Sequence, residues 1–459
     1  MRREDNPKHV TTFALIAGFV IIFSSSLWAQ TDGNAAAAPP TLTLQQAIDM
    51  AITGNRLLKN SSLDVSNAKS EIATTRIKGK PNMAITAAGS QLLAPVHFSF
   101  SQGIFGDFPV IGPIPPTNTT VTSPATFSVI ANATLLQPLT QLRRVHLGVR
   151  MKKAAAQISQ EDWRSQRNGL VSNVKQLYYG LAQIQSAQDT VKESIKFLTE
   201  LERFVSDNVT NGTALDSDLL EVQAKLARQQ HELATLNSSY AGTKEKMNVV
   251  LGREISTDFS ITSVPEAAAP AKSLAELQSQ ALECRPEVRQ AKLKARIAGD
   301  DEMSKRSEST PDISLGLTYT RQQNIDVVPQ ELITAGVIVS WQDPFDWGRR
   351  KLERSEKSRI VEKANNGLQE TKSQVLVDVN MKYRNLQDAL SLLDADRLEV
   401  KAQEEKRRVT MNRYKENSSL LKDVLEVDTS LADANRQYLQ DQLDAATARA
   451  QLDQAVGED

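Results

Sequence analysis

The sequence predicts a mainly α fold with a smaller β component, written twice in tandem. Three observations carry this prediction. Only 5% of the 459 residues are aromatic, Gly (20) and Pro (17) are few, and Ala, Gln, Leu, Lys, Glu and Ser fill the remainder, which is the composition of long helices. Apolar residues step by threes and fours through two very long segments, as coiled-coil packing requires. Between helical stretches lie short segments of strict alternation, the period of a half-buried strand.

The tandem repeat is legible in register. Pro138 precedes Arg143-Arg144 as Pro344 precedes Arg349-Arg350. Val174, Tyr178 and Leu181 recur as Val379, Tyr383 and Leu386, and Asp218-Leu219-Leu220-Glu221-Val222 recurs as Asp423-Val424-Leu425-Glu426-Val427. Leu251-Gly252 returns as Val456-Gly457. A spacing held over the length of a helical hairpin marks a structural repeat.

Residues 1–29 carry Arg2, Arg3 and Lys8, the apolar run Phe13–Phe23, and small residues before Ala29, the pattern of a secretory signal peptide. The run is shorter than the roughly 20 residues of a spanning helix, so removal is expected over permanent anchoring. Residues 30–41 read as a flexible Ala/Pro-rich leader, 42–258 as the first repeat, 259–272 as a linker and 273–459 as the second repeat.

Each repeat opens with an amphipathic helix, Leu44 to about Lys78 and Leu274 to about Ser307, closed by Pro81 and Pro311. A strand pair follows, spanning 82–136 in the first half and 312–341 in the second. Ile313, Leu315, Leu317 and Tyr319 alternate with Ser314, Gly316, Thr318 and Thr320, giving one apolar and one small polar face. The connection Leu93–Ala125 is expected to be a long exposed loop, and Gln323–Glu331 a short one. Long helices are predicted over Gln141–Thr210 and Gly348–Glu416, each turned back at Asn211-Gly212 or Asn417-Ser418 into a shorter helix. Helix lengths of roughly 100 and 50 Å, at 1.5 Å per residue, suggest short helices stacked end to end beside long ones. The stack expected here joins Leu215–Leu251 of the first half to Leu274–Ser307 of the second. Tyr178 and Tyr383, on the apolar stripes, are expected in the core.

The strands have the length that crosses an outer membrane when tilted. Four strands cannot close a barrel, and open edges cannot face lipid, so copies must associate.

Other classes are excluded. With 54 Lys and Arg against 55 Asp and Glu the formal net charge is -1, which is wrong for a polycationic nucleic-acid binder. Cys284 stands alone, and His9, His97, His146 and His231 lie too far apart for a local metal motif. No phosphate-cradling loop or nucleophilic constellation is present in the sequence, so neither an enzyme nor a cofactor is expected.

The segment Asp343-Pro344-Phe345-Asp346-Trp347-Gly348-Arg349-Arg350 resembles the P-x-D-x-G-R-R signature of TolC-like outer-membrane efflux proteins, with Leu136-Gln137-Pro138-Leu139 and Arg143-Arg144 as its degenerate partner. The resemblance spans about Leu42 to Gly457. It implies a homotrimer with a shared transmembrane β-barrel and a trimeric α-barrel tunnel in the periplasm. It further implies a periplasmic adaptor (membrane fusion) protein, an inner-membrane transporter, a position in outer-membrane lipid, and a passive exit duct for small molecules. Alternatives within the same reading are a type I protein secretion channel and a non-conducting envelope tether.

The resemblance also assigns candidate residues. Gly212, Thr213, Asn417, Ser418 and Ser419 form the adaptor-docking turns, and Asp218, Tyr414, Asp423 and Glu426 the periplasmic entrance. Asn417 stands where the family has glycine, and Ser419 where some members have arginine. Asp423 and Glu426, at i and i+3, form a negative ring in the assembly, or else Asp423 and Asp218 serve only the helix dipole. Arg349-Arg350 and Arg143-Arg144 line the lumen, anchor at the interface or face solvent. Trp341, Phe345 and Trp347 form an aromatic girdle or pack at the strand–helix junction.

Overall fold

The computed structural model describes residues 40–262, 268–324, 329–341, 345–416 and 418–457. The signal peptide, most of the leader, Pro344 and Asn417 lie outside the described residues. The first half runs β1 (Thr41–Leu42), α1 (Leu44–Gly54), α2 (Arg56–Ile77), β2 (Asn82–Gln91), β3 (Val96–Phe100), β4 (Asp107–Phe108), β5 (Gly112–Pro113), β6 (Thr119–Ser123), β7 (Phe127–Pro138), α3 (Leu142–Thr210) and α4 (Asp216–Leu251). The second runs β8 (Ser260–Ile261), α5 (Leu274–Cys284), α6 (Pro286–Ser307), β9 (Asp312–Gln323), β10 (Glu331–Ser340), α7 (Arg349–Lys415) and α8 (Leu421–Val456).

The opening helix of each half is broken, where the sequence reading had it continuous. Asn55 leaves the helical conformation, and its Oδ1 accepts the amides of Leu57 (3.0 Å) and Leu58 (3.1 Å), capping α2. In the second half Pro286, lacking an N–H, starts α6, and Arg285 before it is extended.

These breaks are where the helices meet end to end. Asn55 Nδ2 donates to the carbonyl of Val250 at 3.1 Å, and the backbones of Gly54 and Gly252 touch so closely that a Cβ on either would strike the other's strand of backbone. Gly252 also has φ +73, which glycine alone adopts without cost. In the second half Gly457, at φ +80, sits against Cys284 and Arg285, with its Cβ position 3.2 Å from the Cys284 carbonyl carbon. The stack therefore joins helices of the same half, α2 with α4 and α6 with α8. This corrects the cross-half stacking expected from length alone, which cannot choose between equally long partners.

Two apolar clusters surround these joints and contain the repeated residues. Val174, Tyr178 and Leu181 of α3 pack with Met247, Leu251 and Phe259, while Val379 and Leu386 of α7 pack with Leu452, Val456, Leu277 and Val288. Truncating a leucine in such a site costs about 2–5 kcal/mol. Tyr178 is buried as expected, and its hydroxyl also donates to the Leu42 carbonyl (2.9 Å) and accepts from the Thr262 amide (3.1 Å). It thereby fastens the parallel β1–β8 pair. The stretch read as a linker thus carries a strand and the buried Phe259.

Four rods result, in the order α2+α4, α3, α6+α8, α7. Lys152 of α3 pairs with Glu71 of α2 (2.6 Å), and Glu202 with Gln223 of α4 (2.9 Å). On its other side α3 meets α6 through Arg150–Asp300 (2.7 Å) and α8 through Gln183–Gln440 (3.1 Å).

Beyond the rods lies one antiparallel sheet in the order β10-β9-β7-β2. Its register aligns side chains in rows. Met83, Leu135, Leu317 and Ala335 form one row and Ile85, Ala133, Tyr319 and Ile333 another; the intervening rows hold Ala84, Thr134, Thr318 and Thr334, then Thr86, Asn132, Thr320 and Leu332. One face is therefore apolar and the other largely hydroxyl and amide. The β2–β7 connection, expected to be an open loop, is instead a second hairpin built from the β3–β6 and β4–β5 ladders.

Candidate functional site

The two helical turns far from the sheet are built alike. Thr213 directs both its amide (2.9 Å) and its hydroxyl (3.0 Å) to the Asn208 carbonyl, and Ser418 does the same to Arg413 (2.8 and 2.9 Å). Each bond satisfies an orphan carbonyl at the end of a long helix. Gly212, at φ +72, makes the first reversal in open space.

The two aspartates then start the return helices. The amide of Leu420 donates to Asp423 Oδ2 at 3.0 Å, and that of Leu215 to Asp218 Oδ2 at 3.4 Å. Ser419 adds its hydroxyl to Asp423 Oδ2 at 2.9 Å. The Leu420 amide, then the Ser419 hydroxyl, hold the Asp423 carboxyl below its ordinary range, so the group stays ionised. Glu426 behaves differently. It lines a cleft of about 460 Å³ between α4 and α8 together with Lys225, Arg228, Lys422 and Glu221, its counterpart in the repeat.

Tyr414 is half-buried, edge-on to Phe204 of α3 with ring centroids 5.8 Å apart. Burial, then the charge of Asp218, raise its hydroxyl pKa. Asp218 and Tyr414, the candidates for the entrance, are thus brought together from different halves. Below them Leu198, Leu201 and Val205 of α3, Val222 of α4, and Leu421 and Val424 of α8 form one core, against which Met411 and Tyr414 of α7 pack.

A buried charge pair went unnoticed in the sequence. Asp428 is 2% exposed, and its Oδ1 accepts from Arg407 at 3.5 Å. The Arg407 guanidinium lies 4.9 Å from the Phe197 ring centroid. Burial raises the Asp428 pKa, with Arg407 opposing. Farther along the same two helices, Asp396 of α7 meets Asp441 of α8. Hydrogen bonding to Asp441, then burial, raise Asp396 to about 6. The signal available was a charge at an apolar-stripe position: Asp428 falls between Leu425 and Leu431.

The strand-to-helix signature is a helix-start device. Asp346 accepts the amides of Gly348 (3.3 Å) and Arg350 (3.1 Å), and Arg350 returns a salt bridge at 3.5 Å. The Arg350 amide is the main cause that lowers the Asp346 pKa. Gly348 takes φ +87, and Trp347 beside it φ +49. Pro138 ends β7, and Thr140, standing in place of the aspartate, bonds the Pro311 carbonyl (3.1 Å) and the Ile313 amide (2.9 Å). Arg349 also reaches Glu353 at 3.5 Å. Phe345 and Trp347 are 85% and 98% exposed, which removes packing within the chain's own junction as their role.

Among the described residues no group of carboxylates, histidines or cysteines could hold a metal ion. The sequence matches the outer membrane efflux protein family over residues 47–253 and 277–458. The chain belongs to that family. Export across the outer membrane, rather than a chemical transformation, is the family's work. Three solved structures share the fold: the outer-membrane channel OprN (15% identity, 91% of this chain and 90% of that one, TM-score 0.74), VceC from Vibrio cholerae (14%, 90% and 96%, 0.72) and the Campylobacter jejuni CmeC channel (15%, 90% and 85%, 0.72). No curated protein matches this chain in sequence. No helix among the described residues is long and apolar enough to cross a membrane. The four-stranded sheet of this efflux protein carries one apolar face.

Proposed function

We propose that three copies close one β-barrel through the outer membrane and continue it as a helical tunnel in the periplasm. The assembly is the passive exit duct of a tripartite efflux system for small molecules. The observation that carries this reading is the pair of sheet edges: all residues of β2 and of β10 are exposed, on a sheet whose one face is apolar. Unpaired strand edges are untenable in lipid, and joining β10 of one copy to β2 of the next removes every edge.

The turns at Gly212–Thr213 and Asn417–Ser419 dock a periplasmic adaptor, through which an inner-membrane transporter supplies the energy. Asp423, held ionised by its cap, forms a threefold negative ring at the entrance with Asp218 and Tyr414 behind it. Glu426 contributes less, because Lys225, Arg228 and Lys422 surround it. Trp341, Phe345 and Trp347 form the girdle at the inner membrane-water boundary, with Arg349 and Arg350 below it.

Reconstitution into planar bilayers tests the reading. A cation-selective pore is expected; an oligomer that conducts no ions would leave only a structural tether.

A further inference from the structure

The hairpin between β2 and β7 has a pronounced chemical bias. From Leu92 to Thr126 its charged side chain is Asp107, with His97 the other titratable group, and it contains no Lys or Arg. It is a built element: β3 pairs with β6 from Val96–Ser123 to Phe100–Thr119, and β4 pairs with β5. Phe105 donates its amide to the Ile114 carbonyl (2.9 Å) and Ile111 to that of Phe108 (3.1 Å), carrying order to the very tip. Yet that tip is apolar and uncovered, with Val110 96%, Ile111 73%, Phe105 61% and Ile104 57% exposed. Exposed apolar patches of this kind mark contact surfaces.

Position and charge select the occupant. The hairpin grows from β2, the edge strand on which the next copy pairs in the proposed barrel, and at the sheet end opposite the helices. The β2–β7 and β3–β6 ladders differ in register by one residue (Gln91 opposite Phe127, then Val96 opposite Ser123), so the hairpin is not a straight extension of the barrel wall. A surface lacking cations is unsuited to anionic lipid headgroups or an acidic partner, whereas identical neutral apolar tips suit one another. Copies arranged around one axis bring these tips together.

We infer that the tips of the copies sharing a barrel pack against each other over its outer mouth as an apolar plug, holding the exit shut at rest. This rests on the proposed shared barrel. Water-filled entry from outside would then require the Val110–Ile111 tips to part.

The test uses the full chain with Cys284→Ser, carrying either Val110→Cys or, as the reference for the shared barrel, the pair Ala87→Cys and Val339→Cys on β2 and β10. Oxidation of outer membranes is expected to link Val110→Cys chains into covalent dimers as extensively as the reference pair. Val110→Asp with Ile111→Asp is expected to raise resting single-channel conductance several-fold, with Val110→Ser as a milder variant should the double change not assemble. Reference links without Val110→Cys links would overturn the plug and leave the barrel standing. Absence of both would remove the barrel beneath it. Val110→Cys shielded from a water-soluble maleimide in vesicles but reactive in detergent, with no link formed, would put the tip in lipid and also overturn the plug.

Discussion

Arg144, in the first turn of α3, pairs with Asp312, the first residue of β9. The pair fastens the junction of strand and helix in the first half to the start of the second. The repeat maps Arg144 onto Arg350 and Asp312 onto Asn82, which lie at the two free sides of the chain. In the proposed assembly the contact inside one chain is a template for the contact between copies.

That template predicts that Asn82→Asp, supplying the missing carboxylate, stabilises the oligomer by up to about 1 kcal/mol, and that Asn82→Lys weakens it. Dissociation of the assembly in heated SDS gels should move to higher temperature for the first and lower for the second.

At the proposed entrance, Asp423→Asn keeps an oxygen to accept the Leu420 amide and removes the charge. The reversal potential in a salt gradient should move toward zero, with a smaller change for Glu426→Gln. Asp423→Ala also removes the acceptor of the Leu420 amide and should loosen the helix start, visible as faster amide exchange at the start of α8. Because the folded pKa of Asp423 lies below its unfolded value, the cap's contribution is present above the ordinary carboxylate range. It is lost as pH falls through the folded pKa.

The Arg407–Asp428 pair makes a sharper stability prediction. Arg407→Ala removes the ion-pair partner of a buried carboxylate and should destabilise the tip by about 1–3 kcal/mol, less than for a fully buried pair because Arg407 is partly exposed and Lys225 also acts on Asp428, whereas Arg407→Leu with Asp428→Leu should recover much of that loss. A double-mutant cycle on chemical unfolding in detergent measures the coupling.

Asp396 has the opposite sign to Asp423. Its pKa is raised to about 6 by the hydrogen bond to Asp441 and by burial, so the folded state holds a proton that the unfolded chain releases at lower pH. Stability should therefore decline as pH rises from about 4 through 6. Asp396→Asn should flatten that decline and raise stability at pH 8, followed as thermal unfolding against pH.

Much of this architecture was legible because periodicity and repetition are physical. The strand pair expected over 312–341 is Asp312–Gln323 with Glu331–Ser340, and the expected long helix Gln141–Thr210 is Leu142–Thr210. The break at Asn55 was less visible, since apolar residues continue on both sides and a single capping side chain makes the interruption. Pro286 could have disclosed its counterpart. The pairing of stacked ends depends on two glycines touching across nearly two hundred residues, which no local pattern encodes. At the entrance, the spacing of Asp218 and Asp423 was readable, but their capping bonds depend on the turn geometry. The Arg407–Asp428 pair appeared only as charges interrupting apolar stripes, and their opposition across α7 and α8 needed the fold. The hairpin at 96–123 was hidden because Gly, Pro and Thr in that stretch signal turns more strongly than its short strands signal pairing.

Native mass spectrometry of the detergent-solubilised protein tests the central claim most directly. The account predicts a particle of three chains that survives dilution. A folded, stable single chain, with β2 and β10 unpaired in the micelle, would contradict it.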